Sequence, residues 1–346
     1  MYTDIKLIPI IESARFLNMT DDEYFSSKYG GYISNSKLSL INPAQGGSPQ
    51  MYKEGLKEHQ KFSDSLVFGS AVHELVLQPD LFELAEDVDR PTAKAGLMAD
   101  ELYKYKVDDT ISTEIIVSAS NKIGYYKDKM DKDKIDTLLD KCTPYWEQRY
   151  AYEQLPHTKN PIYLDPKSKE RLHSCLNSVN SNFGIQELLH PIGLIEPPII
   201  MNEAALFMDV KSIYKGKEHI LPLKAKLDNF SLDVDTNNIT LNDLKTTGHW
   251  LNKFKESFEK YCYNRQMAMY LWILKLYAKK RYDFNPTSMN ANMLVVSTVP
   301  EYYSGVFKVS NSKIRAGFLE MKDLLQRVAY CEITNNFEDG CLESDL

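Results

Sequence analysis

No apolar run in this 346-residue chain approaches the ~20 residues a bilayer-spanning helix needs, so no membrane partner is expected. The opening MYTDIKLIPIIES sets acids around a short apolar patch and lacks the basic start and small-residue cleavage site of an export leader, so the expected compartment is the cytoplasm. Cysteine is sparse. Cys142, Cys175, Cys262, Cys331 and Cys341 include no C-x-x-C pair, which speaks against a zinc site or disulfide framework and leaves free, inert thiols. A basic excess is missing too: 41 Lys and Arg against 48 Asp and Glu give a net charge of −7, the wrong balance for coating nucleic acid by bulk charge, though a local basic channel remains open. Neither an internal repeat nor a low-complexity linker divides the chain, so residues 1–346 are read as one large domain, 43% hydrophobic and able to bury a sizeable core.

What the sequence does hold is concentrated in PLKAKLDNFSLDVDTNNITLNDLKTT, residues 222–247. Leu223, Ala225 and Leu227 alternate as in a strand, Ile239, Leu241 and Leu244 suggest a second, and DVDTNN between them is turn-forming, so a β-hairpin is expected. Residues i and i+2 of a strand share a face, which sends Asp243 and Lys245 out together and Leu244 into the opposite layer, with Asp228 approaching from the neighbouring strand. Two carboxylates and the Leu244 main-chain carbonyl would offer hard oxygen ligands to Mg²⁺ or Mn²⁺, with Lys245 orienting or deprotonating a water. D-x-K at a hairpin also describes an ordinary solvated turn, so its neighbours must decide between the two.

Those neighbours are Gln266-x-x-x-Tyr270 on a following helix, the phrase Tyr32-Ile-Ser-Asn-Ser-Lys-Leu-Ser-Leu-Ile, and Phe68-Gly-Ser-Ala-Val-His73-Glu. Together with Asp228 and Asp243-Leu244-Lys245, in this order, they resemble the PD-(D/E)XK nuclease superfamily, and within it the phage-type recombination exonucleases of the exonuclease VIII (RecE-like) branch. The resemblance covers roughly residues 32–330, most strongly 32–43, 68–79 and 200–275. It implies an α/β restriction-endonuclease-like core, a central mixed sheet flanked by helices, with a helical N-terminal elaboration. It implies a Mg²⁺-dependent exodeoxyribonuclease working 5′→3′ on double-stranded DNA ends, a single-strand annealing protein as partner, a ring-shaped homo-oligomer, and the host cytoplasm if the chain is phage-encoded. His73 would join Asp228 and Asp243 on the metal, Glu203 would stand at its edge, and Gln266 and Tyr270 would brace the site. Relatives that hold an iron–sulfur cluster group three of four cysteines near the C-terminus; Cys331 and Cys341 make no such group, so no cluster is expected. The same fold also serves single-strand exonucleases and endonucleases, and a non-catalytic DNA-binding or virion structural protein is the reading from another class.

The remaining expectations are structural. Residues 1–64 form a family segment of short helical or irregular pieces with Ser36 as an N-cap; 65–198 a helical part with an insertion; 199–330 the catalytic sheet and helices; 331–346 a tail. Arg90-Pro-Thr-Ala-Lys94 is a candidate loop over substrate, and Tyr145, Trp146, Tyr150 and Tyr152 a packing cluster. Trp250 to about Tyr282 reads as one long helix or two joined ones, with Lys253, Lys255, Lys260 and Arg265 on a basic side. Thr246, Thr247, Lys253 and Arg265 are the expected DNA contacts.

Overall fold

The computed structural model describes residues 2–55, 63–106, 111–126, 130–193 and 195–338. The expectations for Cys341 and for the tail beyond Glu338 lie outside them. The chain divides into two compact units: residues 1–60, 182–295 and 304–346, and residues 61–181 with 296–303.

Strands in chain order are β1 (Lys6–Leu17), β2 (Phe82–Leu84), β3 (Asn160–Ile162), β4 (Ile199–Tyr214), β5 (Lys217–Asp233), β6 (Asn238–Thr247), β7 (Ser288–Ser297) and β8 (Ser304–Lys308). The main sheet has the order β1-β4-β5-β6-β7-β8, with antiparallel pairing for β1–β4, β4–β5 and β5–β6. The expected hairpin is therefore present as β5–β6. Another precedes it: β4 and β5 close on Lys215 and Gly216, at φ 46° and 79°, the two positive values a two-residue type I′ turn requires. Alternate residues Leu221, Leu223, Ala225 and Leu227 are buried, as the period-2 pattern demands.

β1 corrects the reading of residues 1–31 as helical or irregular. KLIPIIESARFL carries Pro9, which cannot donate to a ladder; the strand forms at the edge of the sheet, where one side needs no donor, with an irregularity between Ile10 and Arg15. The N-cap of the helix Asn35–Ile41 is Ser34, which accepts from Lys37 N–H, and not Ser36. The helical stretch after β6 is broken at Cys262, at φ 51°, into Phe254–Lys260 and Tyr263–Tyr282.

The helices Tyr263–Tyr282 and Asn311–Thr334 bring Met267, Leu271, Leu274, Met321, Leu325 and Val328 into the same core as Leu206, Leu223 and Leu241. They pack closely at Gly317, where a Cβ would stand 2.2 Å from Asn264 O. Arg265 is buried beside this crossing and is fully enclosed. Its guanidinium donates to Asn35 Oδ1 (2.8 Å), Ser39 Oγ (2.7 Å), Gln45 Oε1 (3.1 Å) and Glu320 Oε1 (2.8 Å). These bonds tie the Tyr32–Ile41 phrase to two helices distant in sequence, and they leave no face for a phosphate, so the expected DNA contact at Arg265 is corrected to a structural one.

The second unit pairs β2 with β3 in parallel beside the helices Asp64–Leu77, Ala93–Lys106, Thr113–Ile123, Lys132–Glu153 and Pro166–Ser181. Tyr145 and Trp146 are core residues: Trp146 Nε1 donates to Ala99 O at 2.9 Å and Tyr145 to Asp100 at 2.7 Å, while Tyr150 is exposed. Arg90 is buried, with Nε 2.7 Å from Asp100, so the start of the expected substrate loop is anchored in the core.

Arg265→Ala is expected to lower stability by about 3 kcal/mol, because it strips the counter-charge from Glu320 and the donors from four partners at once. Thermal melting checks this; a variant that melts with the wild type would show that these bonds hold nothing together.

Candidate metal centre

Register builds the site. β4 and β5 pair Asn202 with Asn229 and Ala204 with Leu227, which sets Glu203 opposite Asp228; β5 and β6 pair Asn229 with Asn242, which makes Asp243 the next neighbour of Asp228. Three acids thus occupy successive cross-strand positions and leave the same face of the sheet. Carboxylate oxygens of Glu203 and Asp228 lie within 4.8 Å of each other. Glu203 sits at φ 50°, a left-handed value costly for a residue with a Cβ and concentrated at functional sites. The ladder stops at Asn229–Asn242, and beyond it Leu244 N–H donates to Asp228 Oδ2 at 2.8 Å, so the Asp228 carboxylate takes the place of a main-chain acceptor.

One residue along, on the other face, runs a ladder of side-chain amides, of which Asn229, Asn242 and Asn292 are buried and Asn202 is exposed. Asn229 Nδ2 donates to Asn202 Oδ1 (2.7 Å), Asn242 to Asn229 (2.7 Å) and Asn292 to Asn242 (2.9 Å), crossing β4 to β7. A slip of one residue would bury the acids in its place, so this ladder fixes the register on which the acid row depends.

Like charges so close need a cation, and Lys245 supplies it. Its Nζ is 2.6 Å from Asp243 Oδ2, 3.2 Å from Leu244 O and 3.7 Å from Asp228 Oδ2. Burial alone would lower the ammonium's pKa; Asp243 and Asp228 outweigh it and hold the group above its ordinary value of 10.5. Because the folded value is raised, the contribution of the Lys245 charge is fully present below 10.5 and is lost as pH rises from there through the folded value. Lys245 also lies 5.8 Å from the ring centre of Tyr263.

The helix Tyr263–Tyr282 delivers the remaining pair. Gln266 Nε2 donates to Asp243 Oδ1 at 2.7 Å, and Tyr270, one turn on and half-buried, has its pKa raised well above 10.0 by burial, then by Tyr24 and the acids Asp243, Asp228 and Glu203. Asp228, Asp243, Leu244 O, Lys245 and Gln266 are therefore in one place. The donor set suits a hard divalent ion: carboxylates and a carbonyl gathered around a point where an ammonium already sits. His73 is a half-buried residue of the helix Asp64–Leu77 in the second unit.

Of the expected DNA contacts, Lys253 is exposed with Glu256 at 3.2 Å, and Thr246 is half-buried. Thr247 is buried, and its hydroxyl accepts the His249 N–H at 3.3 Å. Sequence reasoning missed Lys226, whose Nζ stands 2.5 Å from Glu203 Oε2 and also pairs with Asp21. Its position two residues before Asp228 was the available signal, since alternation puts both on one face.

No protein-family model and no curated protein matches the chain. Among solved structures it is similar to a protein of Eubacterium rectale named as a candidate exonuclease, at 11% identity and a TM-score of 0.46, over 95% of this chain and 92% of that one. At that distance the likeness assigns no residue and no activity. No helix among the described residues is long and apolar enough to cross a membrane.

Lys245→Gln is expected to cost the metal-free protein about 2 kcal/mol, by leaving Asp243 without its cation in a buried place. Adding Mg²⁺ should then raise the variant's melting temperature more than the wild type's. Equal metal-induced shifts in the two proteins would show that the ammonium and the ion do not share these oxygens.

Proposed function

We propose that this chain is a divalent-metal-dependent deoxyribonuclease, an exonuclease that resects double-stranded DNA ends. The observation that carries the reading is the Lys245 ammonium seated among Asp228, Asp243 and Leu244 O, since a purely structural hairpin has no reason to gather two acids in its interior and then neutralise them. Mg²⁺ held by Asp228, Asp243 and the Leu244 carbonyl, with Glu203 at its edge, would polarise the scissile phosphate and lower the pKa of a bound water. Lys245, released from its role as counter-charge, orients that water and stabilises charge developing on the phosphate oxygens. Gln266 fixes the Asp243 carboxylate by its 2.7 Å bond, and Tyr270 supports the site from behind.

The finer points rest on the resemblance to the exonuclease VIII branch: preference for duplex ends, 5′→3′ direction, a single-strand annealing protein as partner, a ring-shaped oligomer, and a place in phage-type recombination or DNA repair. A single-strand exonuclease or an endonuclease of the same fold is the alternative, separated by substrate. With Mg²⁺, end-labelled linear duplex should be degraded and covalently closed circles spared; EDTA should stop the reaction, and Asp228→Asn should abolish it in a protein that still folds. Rapid cutting of closed circles would turn the reading to an endonuclease, and retained activity in Asp228→Asn would remove that residue from the centre.

His73 enters on the resemblance alone, as an imidazole ligand. His73→Ala should then reduce single-turnover rate by orders of magnitude at saturating DNA with little change in melting temperature. A destabilised variant, down by roughly 1–3 kcal/mol yet fully active when folded, would make it a packing residue.

A further inference from the structure

We propose that Lys226 binds the substrate phosphate adjacent to the scissile one, and that Asp21 holds that place when no substrate is bound. The inference rests on the nuclease reading and extends it to substrate alignment. Lys226 lies two residues before Asp228 on β5, about 6.6 Å along the strand and on the same face. Its ammonium is thus a short step from the acid row, and the 2.5 Å contact to Glu203 Oε2 shows that it points along that row. Its second partner is of a different kind. Asp21 comes from the N-terminal segment, and its carboxylate is 64% exposed, whereas the Glu203 side chain is 10% exposed.

Asp21 opens the short helix Asp21–Tyr24, whose first turn is acidic throughout: Asp21, Asp22 and Glu23. The turn is held from both ends. Thr20 and Glu23 form a reciprocal capping box, and Tyr24 is buried against Phe207 with Lys224 Nζ donating to its carbonyl at 2.7 Å. Lys224, the next cation along β5, is therefore spent on the main chain. Lys226 is the ammonium left facing an exchangeable acid. A carboxylate and a phosphate present the same anionic oxygens to an ammonium, and an exposed ion pair is a weak competitor for it. A backbone phosphate that displaces Asp21 would be positioned one step from the metal ligands, and Lys226 could keep its hold on Glu203 while doing so.

The test separates this from a role limited to neutralising Glu203, by measuring duplex binding in EDTA, where metal affinity plays no part. Fluorescence anisotropy of a labelled duplex over a salt series should show Lys226→Gln binding about tenfold more weakly, with a salt slope reduced by about 1, and Lys226→Arg near wild type. Asp21→Asn, at an exposed carboxylate outside the metal centre, should bind several-fold more tightly at low salt. Melting curves on each preparation confirm the fold. If Lys226→Gln binds DNA like the wild type in EDTA but loses Mg²⁺ affinity, Lys226 only neutralises Glu203 and the inference is overturned; unchanged binding by Asp21→Asn overturns the part given to Asp21. A wild type that neither binds nor degrades DNA with Mg²⁺ would instead refute the nuclease reading itself.

Discussion

Three carboxylates in successive cross-strand positions repel one another, and much of the first unit can be understood as what holds them there. Glu203, Asp228 and Asp243 are brought together by the register of β4, β5 and β6, and that register is secured on the opposite face by the amides of Asn202, Asn229, Asn242 and Asn292. Lys245 and Lys226 provide compensating charge from the acids' own face. A buried polar ladder of this kind is costly unless every member finds a partner, and its bonds then penalise any slipped pairing. The site is thus strained by its own charge and fixed by hydrogen bonds that have no chemical role.

The hairpin was legible because its signals are local. Alternating Leu223, Ala225 and Leu227, the turn-forming DVDTNN and the i,i+2 relation of Asp243 to Lys245 each need only a few residues, and β5 and β6 follow them. Gln266 and Tyr270 were picked out by the resemblance, and the i,i+4 spacing of a helix put them on one face. What could not be read was long-range. The pairing of Glu203 with Asp228 depends on the register of the β4–β5 hairpin, the amide ladder on four strands, and the Lys226–Asp21 contact on a chain separation of 205 residues. β1 was missed because its place at the edge of the sheet is set by pairing with β4, about 200 residues further along the chain. Arg265 was misassigned because a basic residue on a helix gives no sign of whether it faces solvent or, as here, Asn35, Ser39, Gln45 and Glu320.

The net charge of −7 bears differently on function once these positions are known. Attraction to a polyanion need not come from the whole surface if cations stand beside the point of chemistry. Lys226 and Lys245 stand beside the acid row, and under the proposed function each is held by acids that a phosphate or a divalent ion would relieve. The protein without substrate satisfies its own charges with the groups that substrate and metal would otherwise engage, so binding exchanges one set of ion pairs for another and does not have to create them in water.

The central claim is that Asp228, Asp243 and the Leu244 carbonyl are the ligands of one divalent ion. Crystals soaked in Mn²⁺ and measured for anomalous scattering test it most directly. A single strong peak bonded to all three groups is expected, with the Lys245 ammonium moved off the Asp243 carboxylate. A peak elsewhere, or none while Lys245 keeps its place among these oxygens, would contradict it.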